Sequence, residues 1–107
     1  MIWKVEYTKR ALSDLDAIYD YIANVLLEPG IAKSLISLIM KSVRSLDQMP
    51  NRHHLAEQET LRLQGVRIMA VKNYLVVYQP CEDEKSVRIL RIIYGGRDIS
   101  KQLIESE

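Results

Sequence analysis

The stretch L-R-L-Q-G-V-R-I-M-A-V-K-N-Y-L-V-V-Y-Q, Leu61 to Gln79, decides the fold. Both of its halves are rich in β-branched and aromatic residues, which favour strands, so we predict strands over Leu61–Val71 and Tyr74–Gln79. Lys72-Asn73 forms the turn between them, and Gly65 marks a bulge or a tight bend within the first strand.

The residues after this stretch continue the pattern. Pro80 to Lys85 is a second turn, and Ser86 to Tyr94 is a strand rich in Ile and Val. Near the other end of the chain, Ile2 to Tyr7 alternates between apolar and charged residues, which predicts a half-buried strand. The chain therefore contains four predicted strands, three of them consecutive.

Two amphipathic helices are predicted between the first strand and the other three. Thr8 is a candidate N-cap for a helix over Lys9–Leu26, where apolar residues recur at helical spacing. Glu28-Pro29-Gly30 interrupts the pattern, which resumes over Ile31–Met49 until Pro50 forbids its continuation. Helices joined by so short a turn lie antiparallel.

The element order predicts an α+β fold, β-α-α-β-β-β, in a single domain over residues 1–107. We expect an antiparallel sheet with the two-helix hairpin packed on one face. The tail, Arg97 to Glu107, is a candidate for a short C-terminal helix. Since Tyr74–Tyr78 is apolar on both faces, one face covers the helices and the other is left for a partner, a ligand or the tail.

Composition limits the classes of function. The formal net charge is +1 although 27% of the residues are charged, so electrostatic attraction alone does not carry the chain onto nucleic acid. The one cysteine, Cys81, has no internal partner for a disulfide, which favours a reducing, cytoplasmic location. We see neither a signal peptide nor an apolar run that approaches the length of a membrane span.

Basic residues are concentrated in and just after the last three strands. Because side chains on adjacent strands lie close together, several could converge on one sheet face beside tyrosines and hold phosphate and stacked bases. The alternative, which we favour, is a solvated face whose arginines pair with Glu82, Asp83, Glu84 and a partner protein. The basic residues are Arg62, Arg67, Lys72, Arg88, Arg91 and Arg97.

Other catalytic arrangements find little support. A nucleophilic pair of Cys81 with His53 or His54 requires a proximity that nothing in the sequence provides. Adjacent histidines cannot both face one metal from a regular element, so a surface loop explains them better than a metal site. Gly95-Gly96 lacks the rest of a phosphate-binding motif. We expect no metal and no cofactor.

Four segments follow one another along the chain: S-D-L-D-A-I-Y-D-Y-I-A (Ser13–Ala23), L-D-Q-M-P-N-R (Leu46–Arg52), G-V-R-I-M-A-V-K-N-Y-L-V-V-Y (Gly65–Tyr78) and V-R-I-L-R-I-I-Y-G-G-R-D-I (Val87–Ile99). Together and in this order they resemble the RelE/ParE toxins of bacterial type II toxin–antitoxin systems. The resemblance spans nearly the whole chain, and the ending with Gly-Arg-Asp is typical of the ParE-like branch, for which plasmid stabilisation is a known role. It implies the fold derived above.

The resemblance implies two mechanisms of growth inhibition. ParE-like members inhibit DNA gyrase without catalysing a reaction, whereas RelE-like members cleave mRNA at the ribosomal A site without a metal. Arg97 matches an arginine of the cleaving members, but their middle-strand arginine falls at Leu75 and their terminal tyrosine falls near Leu103. Their lysine pair meets Glu57-Gln58-Glu59. These departures favour gyrase as the target.

The alternative of an mRNA endonuclease stays open, since active-site residues vary between branches of this family. Its candidate catalytic residues are Arg97, Arg67, Tyr78 and Tyr94, with His53 as a further substitute. An inactive relative that retains only antitoxin binding is a third alternative.

The expected partners are a cognate antitoxin and either gyrase or the ribosome with mRNA. Operator DNA is expected to bind only the toxin–antitoxin complex, and no membrane is involved. We expect the antitoxin to lay an amphipathic helix on the helix pair or the sheet face, and to add a strand at an exposed edge.

Overall fold

A computed structural model describes residues 2–95. The fold is α+β, with two long helices packed against one four-stranded sheet of strand order β1-β4-β3-β2. The elements are β1 (Lys4–Tyr7), α1 (Lys9–Asp20), a π-helical turn (Tyr21–Val25), α2 (Pro29–Arg44), 3₁₀ turns (Ser45–Asp47 and Pro50–Arg52), α3 (Glu59–Leu63), β2 (Arg67–Val71), β3 (Tyr74–Cys81) and β4 (Ser86–Tyr94). The fold class predicted from the sequence is confirmed. The helix predicted over Arg97–Glu107 lies outside the described residues.

The sheet is mixed, because β1 joins it in parallel. The pairs β2–β3 and β3–β4 are antiparallel as expected, whereas β1 runs parallel to β4 at the sheet edge. A crossover through the two helices returns the chain to the sheet, and this long connection permits parallel pairing. Thr8 strengthens the junction, since its hydroxyl donates to the carbonyl oxygen of Ile89 at 2.8 Å.

The helix hairpin follows the predicted pattern with shifted boundaries. Thr8 caps α1 by accepting from the amide of Ala11, as its position in the sequence predicted. The helix predicted to reach Leu26 changes to π geometry at Tyr21, and Leu27 then adopts a left-handed conformation with φ of 58°. Helix α2 begins at Pro29, because the first turn of a helix tolerates a residue without an amide hydrogen.

Gly65 ends a short helix, which corrects the prediction that it marks a bulge or bend within a strand. The strand predicted from Leu61 starts only at Arg67, since Glu59–Leu63 forms α3. Gly65 has a φ of 77° and donates its amide to the carbonyl oxygen of Arg62, a helix-ending geometry that glycine adopts without strain. The irregularity in strand pairing instead lies at Val77/Tyr78.

The sheet separates two apolar clusters. The larger one lies under the helices and includes Trp3 from the chain segment before β1, together with Ile39 and Tyr78. On the opposite face, Val77 and Ile93 pack with a segment of the chain itself that includes Ala56, Leu61 and Val66. The expectation that this second face is left for a partner, a ligand or the tail is therefore wrong around Val77, which is fully buried.

Within the described residues, no helix is long and apolar enough to cross a membrane.

Candidate functional site

The four side chains predicted to act together occupy different parts of the molecule. Arg67 and Tyr78 are paired across β2 and β3, whereas Tyr94 is paired with Tyr74 at the far end of β3. Tyr74 and Tyr78 are four positions apart, which corresponds to roughly 13 Å along a strand. Arg97 lies outside the described residues. The described candidates thus do not surround a single point.

Tyr78 is a core residue with 0% of its surface exposed. Its hydroxyl donates a hydrogen bond of 2.7 Å to the carbonyl oxygen of Pro50. Burial raises the pKa of Tyr78 to about 12, against a smaller opposing effect of the charges on Arg67 and Arg52. A phenol that is buried, occupied as a donor and so weakly acidic is poorly suited to exchange a proton with a substrate.

Arg67 and His53 lie beside Tyr78. The Nη1 of Arg67 donates to the backbone carbonyl oxygen of His53 at 2.6 Å, and the His53 ring meets the Tyr78 ring edge-on at a centroid distance of 6.2 Å. Burial lowers the pKa of His53, and the positive charge of Arg52 lowers it further. The His53 Nε2 is buried and has no hydrogen-bond partner among the described residues. The described contacts of Arg67 and His53 anchor the loop before α3 to the sheet.

The predicted series of basic residues does not converge. Arg62 is exposed on α3, Lys72 occupies the β2–β3 turn with a φ of 55°, and Arg88 is exposed opposite Glu6 of β1. The acidic run after β3 pairs with Lys85, through Glu82, and with no arginine among residues 2–95. The described members of the series therefore form no shared phosphate-binding surface.

Arg91 forms an ion pair that sequence reasoning missed. Its guanidinium donates two hydrogen bonds to the carboxylate of Asp14 in α1, from Nε at 2.7 Å and from Nη2 at 3.0 Å. The same carboxylate accepts the backbone amide of Ile92 at 2.9 Å. With side chains 14% and 15% exposed, the pair is the most buried ion pair among the described residues. It fastens α1 to β4.

The Asp14–Arg91 pair lines a groove of about 750 Å³ between the end of the helix hairpin and the ends of β3 and β4. Its lip carries exposed apolar and aromatic side chains, of which Tyr21 is 53% exposed and Tyr94 is 45% exposed. The Tyr74 and Tyr94 rings are in edge contact at a centroid distance of 5.7 Å. The groove has the size and mixed lining of a ligand site. The sequence signal for it was Asp14, an acidic residue at the border of the apolar helix face.

No three His, Cys, Asp or Glu side chains among the described residues lie close enough together to hold a metal ion. Cys81 ends β3, where its Sγ lies 3.8 Å from the carbonyl oxygen of Gln79. This contact is that of a strand terminus and not of an activated nucleophile.

Comparison with known proteins identifies the family to which the chain is similar. The family model described as the ParE toxin of the type II toxin–antitoxin system parDE matches residues 5–99. A solved structure of the chromosomal ParDE system from P. aeruginosa has a TM-score of 0.71 and 28% identity, covering 87% of this chain and 96% of that one. No curated protein matches the chain.

Two further structures share the fold at lower identity. The RelBE2 toxin–antitoxin complex from Mycobacterium tuberculosis has a TM-score of 0.61 and 19% identity, over 88% of this chain and 99% of that one. A mutant of the E. coli toxin RelE in the free state has a TM-score of 0.63 and 13% identity, over 99% and 98%. These two show the fold alone.

Proposed function

The chain belongs to the ParE toxins of type II toxin–antitoxin systems, and from that premise we propose that it arrests growth by inhibiting DNA gyrase and is neutralised by a cognate antitoxin. Binding to gyrase requires no catalytic group on the toxin. Its requirements are a stable scaffold and an exposed contact surface.

The comparisons support the coarser part of the proposal. The family model spans most of the chain, and the P. aeruginosa relative at 28% identity is a toxin–antitoxin system. The RelE structures are less than 20% identical, so the activity of RelE does not transfer to this chain. An antitoxin is accordingly the first expected partner, with operator DNA bound only by the toxin–antitoxin complex.

The observation that favours gyrase over mRNA as the target is the burial of Tyr78. Phosphodiester cleavage by a 2′-hydroxyl needs a base, an acid and charges around one phosphate. The hydroxyl of Tyr78 is enclosed in the core and donates to Pro50, while Tyr94 lies on β4 opposite Tyr74 at the start of β3. This distribution favours a mechanism without catalysis.

Purified gyrase provides the test. The chain should block supercoiling of relaxed plasmid and cause cleaved DNA–gyrase complexes to accumulate, and an equimolar amount of the antitoxin should prevent both effects. Unhindered supercoiling at a large molar excess of the chain contradicts the proposal. Growth of cells that express the chain without its antitoxin tests toxicity itself, because an inactive relative leaves colony counts unchanged.

A ribosome-dependent, metal-independent mRNA endonuclease is the second candidate. The proximity of Arg67 and His53 to Tyr78 favours it, since basic and aromatic groups lie together at that end of the sheet. Arg97 and Tyr94 complete its candidate set. Primer extension on a reporter mRNA after induction distinguishes the two, because cuts at the A site support the endonuclease and intact transcripts during growth arrest exclude it.

A further inference from the structure

The turn that joins the two long helices exposes large apolar side chains. Five of them lie between the π-helical turn and the start of α2, and each is at least half exposed. We call these five residues the hairpin tip: Tyr21, Val25, Leu26, Leu27 and Ile31. An exposed apolar patch of neighbouring large side chains marks a surface that binds another protein.

The backbone of the hairpin tip is strained at its most exposed residue. Leu27 has a φ of 58°, a conformation that costs a leucine energy and that glycine adopts freely. It follows the π-helical turn, where the amide of Glu28 donates to the carbonyl oxygen of Ile22 at 2.9 Å. Glycine is the residue that ends a helix in this way without strain. Because the Leu27 side chain is 76% exposed, packing within the chain does not explain a leucine here, whereas contact with another molecule does.

The charge pattern of the hairpin tip suits contact with a second copy of the chain. In a two-fold symmetric contact the same surface meets itself, so every charge on it approaches an identical charge. The sequence Tyr21–Leu27 contains no Asp, Glu, Lys, Arg or His. Asp20 and Glu28, which flank this sequence, are exposed and stay solvated at the rim. A symmetric contact through the hairpin tip therefore brings no like charges together at its centre.

The area of the hairpin tip is that of a weak dimer. At roughly 150–200 Å² for each large side chain, the exposed part of the five residues amounts to on the order of 500 Å². Two copies would bury on the order of 1,000 Å² in total, which is the lower limit for a specific interface. Interfaces of this size form transient complexes, so we expect a dissociation constant of roughly 10–100 μM.

We propose that the hairpin tip is a self-association surface, through which two copies of the free chain form a weak, two-fold symmetric dimer with Leu27 near the axis. The inference does not depend on the target of the proposed function. Met49 provides an internal comparison, since it has a φ of 48° and is 75% exposed. Its exposed sequence neighbours, Gln48 and Asn51, are polar, so Met49 is not part of an apolar patch along the chain.

The first test compares Leu27→Asn with Met49→Asn. Both positions have a positive φ, which Asn tolerates, and nearly equal exposure, so the two variants differ mainly in place. Sedimentation velocity of the purified full-length chain, from about 1 μM to about 1 mM, should show a monomer–dimer equilibrium. Leu27→Asn should weaken dimerisation by about tenfold or more and Met49→Asn by less than about threefold. A wild-type chain that stays monomeric, or equal effects of the two variants, overturns the proposal.

The second test uses charge complementation, which only a surface that meets itself can satisfy. Leu27→Lys and Leu27→Glu should each dimerise much more weakly than wild type, because like charges then face each other across the axis. At low salt an equimolar mixture of the two should associate several-fold more tightly than either variant alone, and high salt should remove this gain. A mixture that associates no more tightly than its components overturns the symmetric contact. Thermal melts verify that all variants are folded.

Other outcomes identify a different occupant. If the wild-type chain is monomeric while Leu27→Asn loses inhibition of gyrase or binding of the antitoxin, the hairpin tip contacts that protein and its assignment to a second copy is wrong. If the chain dimerises and Leu27→Asn prevents it, the assignment holds even where gyrase is not inhibited, and only the proposed function fails.

Discussion

The hydroxyl of Tyr78 in β3 donates a 2.7 Å hydrogen bond to the carbonyl oxygen of Pro50, which begins the second 3₁₀ turn. This bond links the middle of the sheet to the segment that leaves the helix hairpin. Both groups are buried, so neither finds water when the other is removed. The tyrosine that the sequence offered as a catalytic candidate therefore has a clear structural role.

Replacing Tyr78 with Phe should reduce stability without abolishing toxicity. The ring remains packed, but the carbonyl of Pro50 loses its donor, which should lower the free energy of unfolding by about 1–2 kcal/mol. Urea denaturation measures the loss, and colony counts after induction at a permissive temperature measure toxicity. A folded variant with unchanged stability and no toxicity would instead indicate that the hydroxyl acts in catalysis.

Alkaline pH should destabilise the protein through Tyr78. Because burial raises the pKa of Tyr78 from 10.0 to about 12, the folded state retains the proton more strongly than the unfolded state. The corresponding stability is fully present below pH 10 and is lost as the pH rises from 10 to 12. Its full size is about 3 kcal/mol, from the free energy of one pKa unit.

Tyr78→Phe provides the control for the alkaline titration. Other tyrosines also titrate in this range, including Tyr7 and Tyr74, whose pKa values burial raises as well. The measured quantity is therefore the difference in unfolding free energy between wild type and Tyr78→Phe at successive pH values. A difference that stays constant from pH 9 to pH 12 would contradict the assigned pKa.

Replacing Gly65 and Gly30 with alanine should change the stability of the protein in opposite directions. Gly65 has a φ of 77°, so a side chain there is strained, and Gly65→Ala should destabilise by about 1–2 kcal/mol. Gly30 lies in the first turn of α2 with open space where the alanine methyl group would extend, so Gly30→Ala should stabilise by about 0.5–1 kcal/mol. Thermal unfolding of the two variants tests both signs, and loss of stability in both would show that Gly30 has a further role.

Local sequence patterns predicted the helices and strands of this fold better than the way these elements pair and pack. Alternation over Ile2–Tyr7 predicted a half-buried strand, and Trp3 in this segment is buried. The strand over Ser86–Tyr94 has the predicted boundaries, because side-chain period and burial agree there. The parallel pairing of β1 depends on where the helix hairpin returns the chain, which no local window contains. The role of Gly65 was misassigned because a glycine that ends a helix and one in a strand bulge both need a positive φ.

For the candidate site, as for the fold, the sequence predicts the residue types better than their spatial arrangement. The types of its residues are visible in the sequence, but Asp14 and Arg91 are 77 positions apart and meet only when α1 crosses β4. Tyr78 was a candidate catalytic residue, because the sequence does not show whether its hydroxyl is exposed or buried. Its exposure depends on the segment around Pro50, which covers it only in the folded chain.

Acidification should destabilise the protein through His53. Burial lowers the pKa of His53 below its usual value of 6.5, so the unfolded state takes up the proton first as the pH falls. The contribution of the neutral ring to stability is fully present above pH 6.5 and is lost below it. The buried Nε2, which has no partner among the described residues, gives the physical reason, because a proton there would be neither solvated nor hydrogen-bonded.

Two phenylalanine variants isolate this effect. His53→Phe keeps a ring against Tyr78 but cannot titrate, so its unfolding free energy should fall less than that of wild type between pH 7 and pH 5. His54→Phe removes a charge that is the smallest of the three causes of the lowered His53 pKa, so it should reduce the dependence less than His53→Phe does. Denaturant titrations at several pH values compare the three proteins, and the carboxylates they share cancel in the differences. Parallel curves for wild type and His53→Phe would show that His53 is protonated without cost in the folded state.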